Sequence, residues 1–171
     1  MQKKIIALSF FLLLFTIPLF SQNKVKEVSE PEGGFSYLIP HEWTIDKIEG
    51  MPYQIARDKA VNGFHPNINV HQEKNNFTFS EYVKANIADI KKNEIDYLEI
   101  TTEDFTTTAG LKGKKHSCAN KQFGKSLFHT YYFFETVKKY KFIITGTCLI
   151  EDKYKYSPVF DVIAKSFKTV K

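Results

Sequence analysis

The sequence predicts an α+β domain: an antiparallel β-sheet with a four-strand meander, flanked by two main helices. Three observations carry this. Four β-like runs follow one another between residues 97 and 149 with hairpin-length breaks, the segment before them has the apolar period of an amphipathic helix, and a second such segment closes the chain. Strands gathered in runs, without strand–helix alternation, belong to an antiparallel sheet rather than a doubly wound parallel one.

Taken in order, residues 1–22 read as a secretory signal peptide. Lys3 and Lys4 form a basic start, Ile5 to Phe20 is mostly apolar, and Ser21-Gln22 offers the cleavage point. The run is shorter than the ~20 apolar residues of a spanning helix and Pro18 interrupts it, so no stable membrane span is expected after cleavage. Residues 23–33, with Ser29-Glu30-Pro31-Glu32-Gly33-Gly34, read as a flexible lead-in, and residues 34–171 as a single domain. Phe35 to Ile39 alternates into a strand stopped by Pro40, and Trp43, the only tryptophan, is expected as a core plug. Tyr53 to Lys59 and Asn67 to Glu73 are short strands separated by an Asn62-Gly63 turn. Thr78 and Glu81 form a capping box, and Phe79, Val83, Ile87 and Ile90 make one face of a helix ending near Asn93.

The meander comprises Tyr97–Thr107, Leu111–Asn120, Ser126–Thr136 and Tyr140–Leu149, broken at Ala109-Gly110, Gly124 and Lys138-Lys139. Phe128 to Phe134 is apolar or aromatic at both parities, which belongs to a strand covered on both faces in the middle of the sheet. In the closing helix Ser157 reads as the N-cap, Pro158 as the first helical residue and Asp161 as first-turn charge, while Phe160, Ile163, Ala164 and Phe167 share a face.

The 171 residues are 43% hydrophobic, 25% charged and 15% aromatic, which excludes a disordered tail, a collagen-like repeat and a disulfide-stapled miniprotein. Removing Lys3 and Lys4 lowers the net charge from +5 to +3, too little to argue for nucleic acid. Its distribution is uneven: residues 23–111 carry 15 acidic against 9 basic side chains, and residues 112–171 carry 4 against 13. Lys112, Lys114 and His116 share a strand parity, and Lys138, Lys139 and Lys141 cluster at a hairpin end. Together they form a candidate face for an anionic partner; the other reading is a solvated face that keeps sheet edges from pairing.

Candidate chemistry is sparse. Cys118 and Cys148 fall on strands separated by a third, roughly 9–10 Å apart at ~4.8 Å per strand, beyond the ~7 Å reach of a disulfide, so both are expected as free thiols. His129 could stand in one row between them as a zinc or copper site, but the same spacing is too wide for one ion, and no metal is expected. His41, His65, His71 and His116 have no ligand spacing. The sequence has no G-x-S-x-G elbow, P-loop, H-E-x-x-H or dinucleotide loop, and Glu103-Asp104 point to opposite faces of a strand. No catalytic residue and no cofactor are expected.

The opening strand running into Pro40-His41-Glu42-Trp43, the helix at Phe79–Asn93, the long meander and the closing Lys165-Ser166-Phe167 together resemble the PsbP-like family. It includes the lumenal extrinsic subunit of photosystem II and small exported bacterial proteins of the DcrB type. The resemblance covers roughly Gly34 to Val170 and implies a PsbP-like α/β/α sandwich and a non-enzymatic binding or assembly role. It carries over no functional residue and implies no photosynthetic role. The expectation is an exported, non-catalytic binding or accessory module, periplasmic or secreted, whose partner is an unknown envelope protein or anionic ligand. The alternative is a ligand carrier or enzyme with a pocket between sheet and first helix, lined by Tyr131 and Phe133.

Overall fold

A computed structural model describes residues 24–170. The expected signal peptide lies outside the described residues. Ten strands and two helices follow one another: β1 (Val25–Glu30), β2 (Phe35–Pro40), β3 (Thr44–Asp46), β4 (Ile55–Arg57), β5 (Asn67–Lys74), α1 (Phe79–Asn93), β6 (Ile95–Thr106), β7 (Lys112–Gln122), β8 (Lys125–Glu135), β9 (Tyr140–Leu149), α2 (Lys153–Ser166) and β10 (Lys168–Thr169). The main sheet has the order β3-β4-β5-β9-β8-β7-β6 and a smaller one the order β1-β2-β10, with every pairing antiparallel.

Residues directly opposite each other in a ladder share a sheet face. Phe128, Tyr132 and Phe134 of β8 and Phe142, Ile144 and Cys148 of β9 therefore look to one side. There they meet Phe160, Ile163, Ala164 and Phe167 of α2 and Phe35, Tyr37 and Ile39 of β2 in the main core. Trp43 is 2% exposed and lies 6.4 Å from the Phe160 ring, as a core plug should. On the other side α1 sets Tyr82 and Val83 against Phe133. Its N-terminus is the expected capping box, with the Glu81 N–H donating to Thr78 Oγ1 and the Thr78 N–H donating to Glu81 Oε2. Helices on both faces make the expected α/β/α sandwich, and β8 sits between β9 and β7, mid-sheet.

Besides the short strands β3 and β10, which the sequence does not announce, two elements depart from the sequence expectation. The lead-in is not loose: β1 pairs with β2 from Val25 opposite Pro40 to Glu30 opposite Phe35, and Val28 is buried. Its inward positions Lys26, Val28 and Glu30 include a single apolar residue, so backbone pairing rather than side-chain pattern holds it. The last helix starts at Lys153, four residues before the Ser157 cap, and Pro158 lies inside it. Proline removes the hydrogen bond to the carbonyl four residues back. That carbonyl is Tyr154's, and Tyr154 is 83% exposed. Asp161 is consequently mid-helix, facing the sheet, where its carboxylate pairs with Lys115 at 2.8 Å and accepts from the Tyr132 hydroxyl at 2.7 Å.

Candidate functional site

The end of the sheet where β8 turns into β9 gathers most of the expected basic residues. The turn closes with the Thr136 N–H donating to the Tyr140 carbonyl and the Lys139 N–H to the Thr136 carbonyl, both at 2.9 Å. Because β7 begins beside the end of β8, Lys112 and Lys114 lie at this end as well. Their environments differ. Lys112 and Lys138 are exposed and have no ion-pair partner among the described residues. Lys114 is paired with Asp104 at 2.7 Å, and Lys139 with Glu135 at 2.9 Å. Lys141 is fully buried: its Nζ lies 3.0 Å from Glu135 Oε2 and 5.7 Å from the centre of the Tyr82 ring. Hydrogen bonds from Lys139 and Lys141 hold the Glu135 carboxyl below the usual carboxylate range.

His116, the third member of the expected β7 row, is also buried. Its ring stacks on Tyr97, with Nε2 at 2.9 Å from the Tyr97 hydroxyl and Nδ1 at 2.7 Å from Thr102 Oγ1. Burial lowers its pKa. Neither His116 nor Lys141 is available to a partner, and neither the strand parity that grouped His116 with Lys112 and Lys114 nor the hairpin-end position that grouped Lys141 with Lys138 and Lys139 carries information about what α1 and β6 cover. The charge asymmetry is likewise largely matched within the fold. The acidic β6 lies beside the basic β7, and Asp96–Lys121, Glu103–Lys115 and Asp104–Lys114 pair across it.

Two open clefts flank the β8–β9 turn, each of about 440 Å³. One is lined by Lys74, Phe77, Val137, Lys138 and Lys139 among others, the second by Glu32, Val137, Lys138, Tyr140 and Val170 among others. Lys74, Phe77, Val137 and Tyr140 were not singled out by sequence pattern. The available signal was compositional: Val137 stands in a turn, a position that ordinarily takes polar or small residues, and Phe77 directly precedes the Thr78 helix cap.

The remaining candidates resolve by face. Cys118 is opposite His129, whereas Cys148 is opposite Phe128, so the two thiols point to opposite sides of the sheet. The single row imagined for a metal does not exist, because odd and even positions of β8 look away from each other. Both cysteines are free, and burial pushes both thiols up to about 12, which keeps them protonated and unreactive near neutral pH. His129 joins a polar chain instead. Glu94 Oε2 accepts from Asn120 Nδ2 at 2.6 Å, which turns Asn120 Oδ1 toward His129 Nε2 at 3.1 Å. Nε2 must then donate, leaving Nδ1 to accept from the Thr147 hydroxyl at 3.0 Å. Tyr131 stacks on His129 and Phe133, and Phe133 packs edge-on against Tyr82. The aromatic residues considered as pocket lining therefore fill the space between α1 and the sheet. Among the described residues no group of three or more His, Cys, Asp or Glu could hold a metal, and no helix is long and apolar enough to cross a membrane.

The architecture is the PsbP-like fold. LpqN, involved in cell envelope biogenesis of Mycobacterium tuberculosis, is similar at a TM-score of 0.66 and 13% identity over 87% of this chain and 93% of its own. Cyanobacterial PsbP (CyanoP) from Synechocystis sp. PCC 6803 is similar at 0.59 and 13% identity, over 91% and 98%. The Ran-binding protein Mog1p of Saccharomyces cerevisiae is similar at 0.62 and 9% identity, over 86% and 96%. No family model matches the sequence, and neither does any curated protein. At these identities the likeness is one of fold.

Proposed function

We propose that the chain is an exported, non-catalytic binding or accessory module of the cell envelope that engages an anionic partner through the β8–β9 end of its sheet. One observation carries this: Lys74, Lys138 and Lys139 line two open clefts, with Lys112 exposed at the same end of the sheet, and of these Lys74, Lys112 and Lys138 have no ion-pair partner among the described residues, while the lysines of β7 farther along, Lys115 and Lys121, are held by acids. The basic signal-like segment and Ser21-Gln22 support export to the periplasm or medium. LpqN's involvement in cell envelope biogenesis and Mog1p's binding of Ran support an envelope role and protein binding on this fold. The partner is an envelope protein or an anionic ligand.

Affinity capture from an envelope fraction tests this, with the processed chain and its Lys112→Glu/Lys138→Glu variant as baits. Retention should fall in the variant and as salt rises from ~0.05 to ~0.5 M, which shortens the Debye length from roughly 14 Å to about 4 Å. Charge reversal at Lys84 and Lys92, exposed on α1, should leave retention intact. Salt-insensitive capture, or equal loss from both pairs, would contradict the assignment.

A further inference from the structure

We infer that the β8–β9 end docks on an anionic phospholipid surface, with Val137 and Phe77 entering the headgroup region and the surrounding lysines meeting lipid phosphates. This rests on the reading of that end as an anion-binding surface and names the partner.

The turn itself points there. Val137 is 100% exposed, so it contributes nothing to the core. Turns favour Gly, Pro, Asn, Asp and Ser, and a β-branched aliphatic residue at this place has no local reason. Lys139 adopts a φ of 66°, a conformation that Gly or Asn takes at less cost. The sequence has put an aliphatic group and a cation where turn formation asks for neither. Phe77 repeats the pattern. It precedes the Thr78 cap of α1, the position from which an apolar side chain commonly packs back onto the fourth helical residue, here Tyr82. Tyr82 is buried by Phe133, and Phe77 stays 56% exposed.

These groups are together in space. Phe77 and Val137 line one cleft with Lys74, Lys138 and Lys139, and on the far flank of the turn Val137 and Lys138 line the second with Tyr140 and Val170. Val170 is 50% and Tyr140 37% exposed, and Lys74 Nζ stands 5.5 Å from the centre of the Tyr140 ring. The hairpin is thus a ridge between two clefts, apolar at its crest and cationic around it. Glu32 is the exposed acid beside it, and Glu135 is already held by Lys139 and Lys141. A convex apolar crest ringed by long cationic side chains suits an interface that offers negative headgroups above hydrocarbon. An acidic protein would answer the lysines but leave a protruding Val137 to be covered by a matching hollow. The opposite end of the sheet supplies a control. Phe123 in the β7–β8 turn is 96% exposed, but its neighbours Lys121 and Lys125 are engaged by Asp96 and by the Asn62 carbonyl.

The test is co-sedimentation of the processed chain, which carries every element of the fold, with vesicles of phosphatidylcholine containing about one-third phosphatidylglycerol. Partitioning should exceed that onto pure phosphatidylcholine, fall roughly tenfold in Val137→Ser and in Phe77→Ser, and fall at least roughly tenfold in Lys74→Glu/Lys138→Glu. Phe123→Ser should partition as the parent does. Unchanged melting temperatures of these exposed-site variants separate docking from folding. Equal partitioning onto neutral vesicles, no effect of Val137→Ser and Phe77→Ser, or an equal loss in Phe123→Ser would overturn the inference. A soluble polyglutamate peptide distinguishes the two levels. If the chain binds it, loses it in Lys74→Glu/Lys138→Glu and ignores vesicles, lipid docking is wrong and anion binding stands; if it binds neither, both fall.

Discussion

Acidification from about pH 7 to about pH 5 is expected to cost this domain about 2 kcal/mol through one side chain, His129. The ring is 5% exposed, and burial lowers its pKa to about 4, against ~6.5 for an unperturbed histidine. The folded state therefore binds a proton less readily than the unfolded one. Stability on this account is flat above roughly pH 7, falls as pH drops below the unfolded value near 6.5, and stops changing below about 4, where both states are protonated. The full difference is about 3 kcal/mol, of which about two-thirds has been lost at pH 5. The carboxylates held low by partners, Glu27, Glu81, Glu99 and Glu135, act in the same direction but only near and below their ordinary range around 4.5, so the interval from pH 7 to 5 belongs to the histidines. Urea unfolding followed by the fluorescence of Trp43, the single buried tryptophan, reads the effect directly. His129→Gln keeps a donor toward Asn120 Oδ1 and cannot titrate. Its stability should fall by about 2 kcal/mol less than the parent's between pH 7 and 5, with any remaining slope assigned to His116. Parallel pH profiles for parent and variant would refute the assignment of buried neutral imidazole to His129.

Other outcomes follow from packing and pairing. Gly146→Ala sets a Cβ 2.5 Å from the Phe160 ring, which is itself fixed against Trp43 and Tyr156; chemical denaturation should report a loss of about 2–3 kcal/mol, partly relieved in the Gly146→Ala/Phe160→Leu double variant. Asp161→Ala leaves Lys115, 8% exposed, with Glu103 at 3.3 Å as its remaining partner and removes the acceptor of the Tyr132 hydroxyl, so a loss of about 3 kcal/mol is expected in the same assay. Thiol labelling of the denatured, unreduced protein should count two free cysteines, and a count of zero would mean that Cys118 and Cys148 are not on opposite faces of the sheet.

Elements with a strong local period are legible in the sequence. The capping box and the 4-4-3 spacing of Phe79, Val83, Ile87 and Ile90 fix α1, and the Tyr140–Leu149 strand has the expected limits. The two-sided aromatic run of β8 correctly signals a central strand. What escaped was held by partners remote in sequence. The strand β1 has one buried apolar residue and exists through its ladder to β2, and the three-residue strand β3 is too short to show a period, whereas β4 falls within the expected Tyr53–Lys59 run and keeps only Ile55–Arg57 of it. Pro158 misled because proline at the first helical position is the commoner arrangement, whereas here its lost hydrogen bond falls on an exposed flank. At the candidate site, parity grouped Lys112, Lys114 and His116 correctly on one face. Parity says nothing about cover, and Tyr97 and Thr102 of β6 seal His116. Lys141 is buried beneath Tyr82 for the same reason.

The most direct measurement is a residue-resolved amide NMR titration of the chain from residue 23 onward with nanodiscs of phosphatidylcholine and phosphatidylglycerol. Broadening is expected at residues 74–78 and 136–140, weaker at Lys112 and Val170, and absent from the Phe123 turn and the outer surface of α1 near Lys84. Broadening centred on the Phe123 turn or on β6, or spectra unchanged by anionic nanodiscs, would contradict docking through the β8–β9 end.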